Sequence, residues 1–247
     1  MRALAALACT ALLAGCGGGR DKKTATAAPD PVKVAAAATT AKGTAKSSVT
    51  LVPTHLGVDP GLKLSGKGTV SLREPRGALV FDIGDVLGIA GALVDTNLKV
   101  LFDGANVYTD PPDIPTVGIP EGWLSADAPG LAGALDPGTQ LRQLAKTGGF
   151  EEIGRETING VAVKHFHSKE GDIWVDGQNL VRRIRTIITL TEGHGPTPGT
   201  LDVTTDLSEY GAPLTEQTPK HATDETKTVQ AILSSPDTLG TAGSKGG

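Results

Sequence analysis

The sequence predicts an α+β fold in which a curled antiparallel sheet, a half-open β-barrel, carries a few helices over its concave face. From residue 62 onward, short segments with apolar side chains at every second position follow one another through turn sequences, of which Asn159-Gly160 is the clearest. Helical spacing of apolar residues occurs near the start of the chain and again around residues 136–145. Glycines within the strands favour bends that would curl the sheet.

The first sixteen residues combine a basic start, a short apolar run and a cysteine. Arg2 is followed by the apolar residues 3–12, a run too short to cross a bilayer as a helix. Leu13-Ala14-Gly15-Cys16 then has the order of a lipobox, in which small residues precede a cysteine whose thiol takes a diacylglycerol before cleavage. We therefore predict that residues 1–15 are a lipoprotein signal peptide. The alternatives are an ordinary secretory signal with a chance cysteine, or a cytosolic protein with an apolar start.

Cys16 would then be the first residue of the mature protein and would carry acyl chains such as palmitate. Several acyl chains are enough for a stable anchor, so we expect a lipid-anchored protein on the extracytoplasmic face of the cell membrane. The other cysteine, Cys9, lies in the signal, and the mature body therefore has no thiol. This excludes disulfides and cysteine-based metal sites in the body.

Charge narrows the possible partners. The net charge is −4, and no block of Lys and Arg is dense enough to follow a phosphate backbone, which argues against nucleic acid. Arg182, Arg183 and Arg185 cluster, but on an extended segment they fall on both faces, which is typical of a solvated strand. No segment after the signal approaches the length of a transmembrane helix.

Composition divides the mature chain into three parts. Residues 16–30 are rich in Gly, Lys, Thr, Ala and Pro, have little to bury, and are predicted to be a flexible tether. Residues 31–211 have the size and patterning of a single domain. Residues 212–247 turn to Thr, Pro, Ser, Lys and Gly, which predicts a mostly disordered polar tail.

The domain opens with a predicted helix. Pro31 suits a first helical turn, and small or apolar residues recur at helical spacing through residues 32–48. An Ala/Thr-rich segment of this kind could also be a poorly ordered continuation of the tether, and the sequence leaves that alternative open.

Two hairpins follow. Their predicted strands are residues 62–72, 78–83, 98–102 and 107–108. Gly66 and Gly68 stand in the middle of the first of these strands and predict a bulge or a sharp bend. Residues 84–91 are too apolar for a free loop and too rich in glycine for a confident helix, so we expect them to cap an apolar opening or to pack under the sheet. The Pro-rich passage 111–120 predicts a surface crossing, after which Trp123 points inward.

A short helix and a meander complete the domain. Asp136 suits a helix N-cap and Pro137 the first helical position, and the helix would end at Gly148-Gly149. The strands predicted after it are residues 150–157, 161–168, 172–176, 180–191 and 201–210.

The sequence offers few residues for chemistry. It has no nucleophile elbow, zinc-protease pair, phosphate-binding loop or dinucleotide-binding fingerprint. His165 and His167 share one face of a strand and could meet one ion, with Asp172 or Asp176 as a third ligand, but a solvated hairpin face with no metal is the interpretation we prefer. Trp174 is interpreted as a core or barrel-wall residue. We therefore predict no catalytic residues and no cofactor, and a protein that is not an enzyme.

One ordered series of features runs through most of the domain, from about residue 32 to residue 210. It consists of the lipobox ending at Cys16, the Ala/Lys/Thr helix leading into Ser47-Ser48-Val49, Val100-Leu101-Phe102-Asp103-Gly104 with Tyr108, Trp123 after the Pro-rich passage, Asp136-Pro137 with its helix, Gly154–Gly160, and Ile173-Trp174-Val175-Asp176 followed by Arg182 or Arg183. This series resembles the actinobacterial LppX/LprG family of lipoproteins (LppX_LprAFG), which is related in fold to the lipoprotein carrier LolA. The resemblance implies a half-open barrel that encloses an apolar cavity for the acyl chains of lipids or lipoglycans.

The function that these observations favour is a membrane-anchored lipoprotein that binds or carries acylated lipids or lipoglycans. We expect the apolar interior to be lined by Leu64, Val70, Leu79, Phe81, Ile83, Leu98, Val100, Phe102, Ile184 and Ile188. The same inward positions would make a filled core equally well. One alternative function is an envelope sensory or protein-interaction module with no lipid ligand, which an exposed apolar patch around residues 86–93 would favour. Another is an exported hydrolase, which would need His165, His167 and an acid to converge in a pocket.

Overall fold

The computed structural model describes residues 29–54, 62–84, 95–112, 122–190 and 199–227, and within them the chain forms three helices and twelve strands. The helices are α1 (Pro31–Ala41), α2 (Pro129–Leu135) and α3 (Pro137–Thr147). The strands are β1 (Thr44–Thr54), β2 (Leu64–Ser71), β3 (Arg76–Asp82), β4 (Asn97–Asp103), β5 (Asn106–Asp110), β6 (Leu124–Asp127), β7 (Glu151–Ile158), β8 (Val161–Ser168), β9 (Gly171–Asp176), β10 (Val181–Leu190), β11 (Gly199–Ser208) and β12 (Thr223–Asp224).

All twelve strands belong to one sheet, in the order β12-β6-β5-β4-β3-β2-β1-β11-β10-β9-β8-β7. Neighbouring strands are antiparallel except β12 and β6, which are parallel. Helix α2 contacts β4 and β5 and also β10, five positions further along the sheet, so the sheet bends around it. Among the described strands the two edges, β7 and β12, do not pair with each other, and the barrel is open. The predicted α+β half-open barrel is confirmed.

The helices and the inward side chains of the strands form one core on the concave face. In β1, Ala45, Val49 and Leu51 are buried at alternate positions, as a strand with one face on a core requires. Val32 on α1 and Leu141 on α3 are fully buried and belong to the same cluster. A tight antiparallel sheet with its helices on one face buries this core without any disulfide.

Helix α1 is shorter than the sequence predicts. Asp30 caps its start by accepting hydrogen bonds from the backbone N–H of Val32 at 2.9 Å and of Lys33 at 3.3 Å. The helix ends at Ala41, and Gly43 turns the chain with a φ of +83°, a conformation that favours glycine. The prediction of helix through residues 44–48 is wrong, because these residues form β1, which pairs along its length with β11 and with β2. Pairing with strands distant in the sequence overrides the helical spacing of the alanines.

The two glycines in β2 do not produce a bulge. The register of β2 with β1 and with β3 runs without a shift. The glycines instead allow a close approach, because a Cβ on Gly66 would lie 2.7 Å from the ring of Phe81 and one on Gly68 would lie 1.9 Å from the carbonyl oxygen of Ala78. The described register shifts lie elsewhere, in the β7–β8 and β9–β10 pairs.

The second predicted helix and the meander are confirmed. Asp136 caps α3 by accepting a hydrogen bond from the backbone N–H of Gly138 at 2.9 Å, and Gly148 ends the helix with a φ of +66°. Burial raises the pKa of the Asp136 carboxyl, against the opposing effect of its hydrogen bonds and of Arg142 at 3.5 Å. Helix α2 was not predicted: it has two glycines in seven residues, and the side chain of its capping residue makes no hydrogen bond.

Part of the segment expected to be a disordered tail lies along the sheet. Thr44 donates a hydrogen bond to the carbonyl of Ala212 at 2.6 Å, and Thr218 donates one to Asp103 at 2.9 Å. Thr223 and Asp224 then add β12 to β6 and cover that edge. The structure therefore differs from the expectation over residues 212–227, because main-chain and hydroxyl groups rather than apolar side chains hold this segment.

Several sequence predictions fall outside the described residues. They are the signal peptide and Cys16, residues 17–28 of the tether, residues 85–91 of the apolar glycine-rich stretch, residues 113–120 of the Pro-rich passage, and residues 228–247. Trp123, which was expected to point inward, is half-buried.

We predict that Gly68→Ala destabilises the protein by about 1–3 kcal/mol, since the new Cβ meets backbone of the paired strand that cannot move aside. Gly154→Ala is the matched control, because nothing lies within 4 Å of its Cβ position and its φ is not positive. The control should change the free energy of unfolding by no more than about 0.5 kcal/mol. Urea denaturation of both variants measures the difference, and equal effects would contradict the close approach of β2 and β3.

Candidate ligand-binding pocket

An apolar pocket of about 260 Å³ opens on the concave side of the sheet, between β1–β5 and helix α2. Its lining residues are Leu51, Leu64, Phe81, Ile83, Leu98, Val100, Val107, Thr109, Leu131 and Leu135. Nine of these ten are hydrocarbon side chains, and the tenth is a threonine. A pocket with such a lining offers a ligand dispersion contacts and exclusion of water rather than hydrogen bonds or charge.

The alternation of the strands places these side chains together. Phe81 stands near the end of β3 and Ile83 directly after it, and Leu98 and Val100 stand at the start of β4, which pairs with β3. Leu51 comes near the end of β1, and Leu64 is paired with it at the start of β2. All these positions lie toward one end of the sheet, which we call the open end. Leu131 and Leu135 stand four positions apart on α2 and cover the pocket from the helix side.

At the opposite end of strands β2 to β5, which we call the closed end, side chains fill the interior. Phe102 follows Val100 on the inward face of β4 and is 1% exposed. Its ring lies over Gly77, where a Cβ would stand 2.5 Å from the ring atoms. Val70, Leu72 and Leu79 are buried around it in the same cluster. Under strands β2 to β5 the interior is therefore filled at the closed end and hollow at the open end.

The structure separates the ten predicted lining residues into two sets. Those that line the pocket are Leu64, Phe81, Ile83, Leu98 and Val100. Those that do not line it are Val70, Leu79, Phe102, Ile184 and Ile188: the first four are buried in the filled core, and Ile188 is half-buried against it. Alternation identified the inward face for all ten, but it carries no information on depth along the barrel.

Five lining residues were not predicted. They are Leu51, Val107, Thr109, Leu131 and Leu135. Leu51 lies in a strand that the sequence did not reveal, and Leu131 lies in an unpredicted helix. Val107 and Thr109 are at alternate positions of β5. The strand was predicted only through residue 108, so its inward face could have identified Val107 but not Thr109.

The two candidate metal-ligating histidines lie on the opposite, convex face. Nε2 of His165 is 3.0 Å and Nδ1 of His167 is 2.7 Å from the same oxygen, Oδ1 of Asp172. Nδ1 of His165 is 2.9 Å from Oε1 of Glu156, so carboxylates meet both nitrogens of this ring. A polar pocket lies beside His167 and Asp172, but no group of three or more His, Cys, Asp or Glu in the described ranges is arranged to hold a metal ion. Through these contacts with Glu156 on β7 and Asp172 on β9, the histidines of β8 link the three strands.

Trp174 is buried within the same convex cluster. Its indole N–H donates a hydrogen bond to Glu156 at 2.8 Å, and the His165 ring stacks on it with centroids 4.1 Å apart. The guanidinium of Arg183 lies 5.8 Å from the Trp174 ring centroid and pairs with Asp206 through two hydrogen bonds. Asp176, the other acid considered as a metal ligand, accepts a hydrogen bond from Arg182 at 2.7 Å, so its carboxylate already has a cationic partner.

No family model matches the chain, and no curated protein matches it. The chain is similar to solved structures of two lipoproteins. LppX of Mycobacterium tuberculosis has 15% identity and a TM-score of 0.42 over 76% of this chain and 100% of that one. LprF of Mycobacterium bovis has 15% identity and a TM-score of 0.41 over 76% of this chain and 95% of that one. A DUF1329 family protein of Desulfovibrio piger has 13% identity and a TM-score of 0.30 over 75% of this chain and 95% of that one. The resemblance noted from the sequence thus recurs among solved structures.

Within the described ranges, none of the helices has the length and apolar character needed to cross a membrane.

We predict that matched valine truncations differ in cost according to their position. Val70→Ala removes methyl groups from the filled core and should cost about 2 kcal/mol, including the cavity it leaves. Val100→Ala should cost about half of that, because one side of Val100 already faces open space. Urea denaturation of the two variants checks this, and an equal loss would mean that the pocket is packed as tightly as the core.

Proposed function

We propose that this protein is a membrane-anchored envelope lipoprotein that holds the acyl chain of a lipid or lipoglycan in the pocket beneath α2 and does not act as an enzyme. The observation that carries the proposal is the lining of the pocket, in which nine of the ten described side chains are hydrocarbon. Water in such a space finds almost no hydrogen-bonding partner, whereas an acyl chain gains about 0.8 kcal/mol for each methylene that it buries.

The amino-terminal sequence supports the anchoring part of the proposal. Cys16 stands at the end of the lipobox, and fourteen residues separate it from Pro31 at the start of α1. At no more than about 3.5 Å per residue, such a segment reaches about 50 Å. A folded domain attached in this way stays within reach of the membrane in which its lipid ligand resides.

The two alternative functions have weaker support. The apolar patch on which a protein-interaction module would depend, residues 86–93, lies outside the described residues. The histidines that a hydrolase would use do meet an acid, but Asp172 engages both through one oxygen atom on the convex face. The apolar pocket lies on the concave face.

We predict that the full-length chain with Cys16→Ser, which removes the acyl acceptor, carries a co-purifying lipid that native mass spectrometry detects as added mass. Adding Val100→Thr should lower lipid occupancy on the order of tenfold, because it places a hydroxyl in the apolar pocket with little change of shape. Val80→Thr is the matched control: it lies on the opposite face of the neighbouring strand, is 44% exposed, and should leave occupancy unchanged. Absence of lipid from the Cys16→Ser protein, together with failure to take up added lipid, would contradict the proposal.

The anchor is tested separately. Cys16→Ser should move the protein from the membrane fraction to the soluble fraction when cells are fractionated, since the acyl chains are the proposed means of attachment. Cys9→Ser, in the signal peptide, is the control and should leave the protein in the membrane fraction. Retention of the Cys16→Ser protein in membranes would show that something other than this cysteine attaches it.

A further inference from the structure

A wall of side chains ends the pocket partway through the barrel. Along the inward face of β4, Leu98 is half-buried at the open end, Val100 lines the pocket, and Phe102 is buried beyond it. Phe102 is paired with Gly77 on one side and with Val107, a lining residue, on the other. Because Gly77 has no side chain, the Phe102 ring occupies the space across the sheet at this level. A chain that enters from the open end therefore stops at Phe102.

The volume of the pocket limits what it can hold. A methylene group occupies about the volume of one water molecule in the liquid, about 30 Å³, so about 260 Å³ holds on the order of nine such groups. Two acyl chains side by side would each have room for only about half as many carbons. Most of the apolar surface of a two-chain lipid would then remain in water.

We propose that the pocket takes a single hydrocarbon chain, that Phe102 sets the depth to which it is buried, and that the headgroup stays outside. The ligand class is a single-chain amphiphile, such as a fatty acid or a lysolipid, or one chain of a larger lipid. Among the described lining residues Thr109 supplies the one side-chain hydroxyl and none is charged, so the chain rather than the headgroup is recognised. This inference rests on the proposed lipid-binding function and adds the number and length of the chains to it.

Chain length provides the test. The full-length Cys16→Ser protein, stripped of lipid, is titrated with saturated fatty acids of 6 to 16 carbons, with displacement of a fluorescent fatty acid as the readout. Affinity should rise about fourfold per added methylene until about nine carbons are buried, and should then level off. A two-chain phosphatidylglycerol should bind no more tightly than the lysophosphatidylglycerol with the same acyl chain.

We call the chain length at which affinity stops rising the levelling point. Two substitutions should move it in opposite directions. Val100→Phe fills part of the pocket and should shift the levelling point to shorter chains, whereas Phe102→Ala removes the wall and should shift it to longer chains. Val80→Phe, on the opposite face, is the control and should leave it unchanged. Val100→Phe and its control suffice for the test if Phe102→Ala does not fold.

The outcomes separate this inference from the proposed function. If no fatty acid or phospholipid binds at any length, both fail. If fatty acids bind but affinity keeps rising to 16 carbons, or the two-chain lipid binds more tightly than its single-chain counterpart, lipid binding stands and the single-chain limit is overturned. A levelling point that Val100→Phe does not move also overturns it, because the ligand then lies outside this pocket.

Discussion

The curl of the sheet is the constraint on which the rest of the structure depends. A twelve-stranded sheet bent around helix α2 encloses more space than three short helices fill. The buried faces of α1 and α2 consist largely of alanines, such as Ala35, Ala36, Ala132 and Ala134, which bring helix and sheet close together but contribute little volume. Aromatic residues are only 3% of the chain. Under strands β2 to β5, Phe102, Leu72 and Leu79 fill the closed end, and the unfilled space is left at the open end.

The closed end is also held by the chain that follows the last long strand. Tyr210 donates a hydrogen bond to the carbonyl of Val181, and burial raises the pKa of its phenol. Beyond it, Arg76 donates a hydrogen bond to the carbonyl of Glu216 at 3.0 Å, and Thr218 binds Asp103 at the β4–β5 turn. The described chain thus crosses the ends of several strands on the side where the interior is filled. The pocket lies toward the other end.

Local sequence predicted most of the strands because their signals are local. Alternation and the turn at Asn159-Gly160 specify the meander, and Asp136 with Pro137 specifies the start of α3. Strand β1 could not be found in this way, since its first residues continue the helical spacing of the preceding alanines and its partner β11 lies about 150 residues later.

Only half of the pocket-lining residues could be predicted from the sequence, for a related reason. Alternation shows which side chains face the interior, so Val100 and Phe102 are equivalent in the sequence, although one lines a pocket and the other fills the core. The difference arises from Gly77, which lies on a neighbouring strand and gives the Phe102 ring its place. Depth within the barrel is therefore a property of the assembled sheet rather than of any one segment.

A void in a protein interior loses dispersion contacts, so the pocket can persist only where other contacts hold the sheet in shape. Strands β7 to β11 are cross-linked on the convex face, where Glu156 and Asp172 meet His165, and where Arg183 and Arg185 pair with aspartates of β11. The inward face of β9 and β10 carries Ile173 and Ile184, both fully buried. The half formed by β7 to β11, with α1 and α3 packed on it, therefore has contacts on both faces that hold the sheet in shape. The half formed by β2 to β5 is held to it through the continuous β1–β11 pairing and can leave the space under α2 for a ligand.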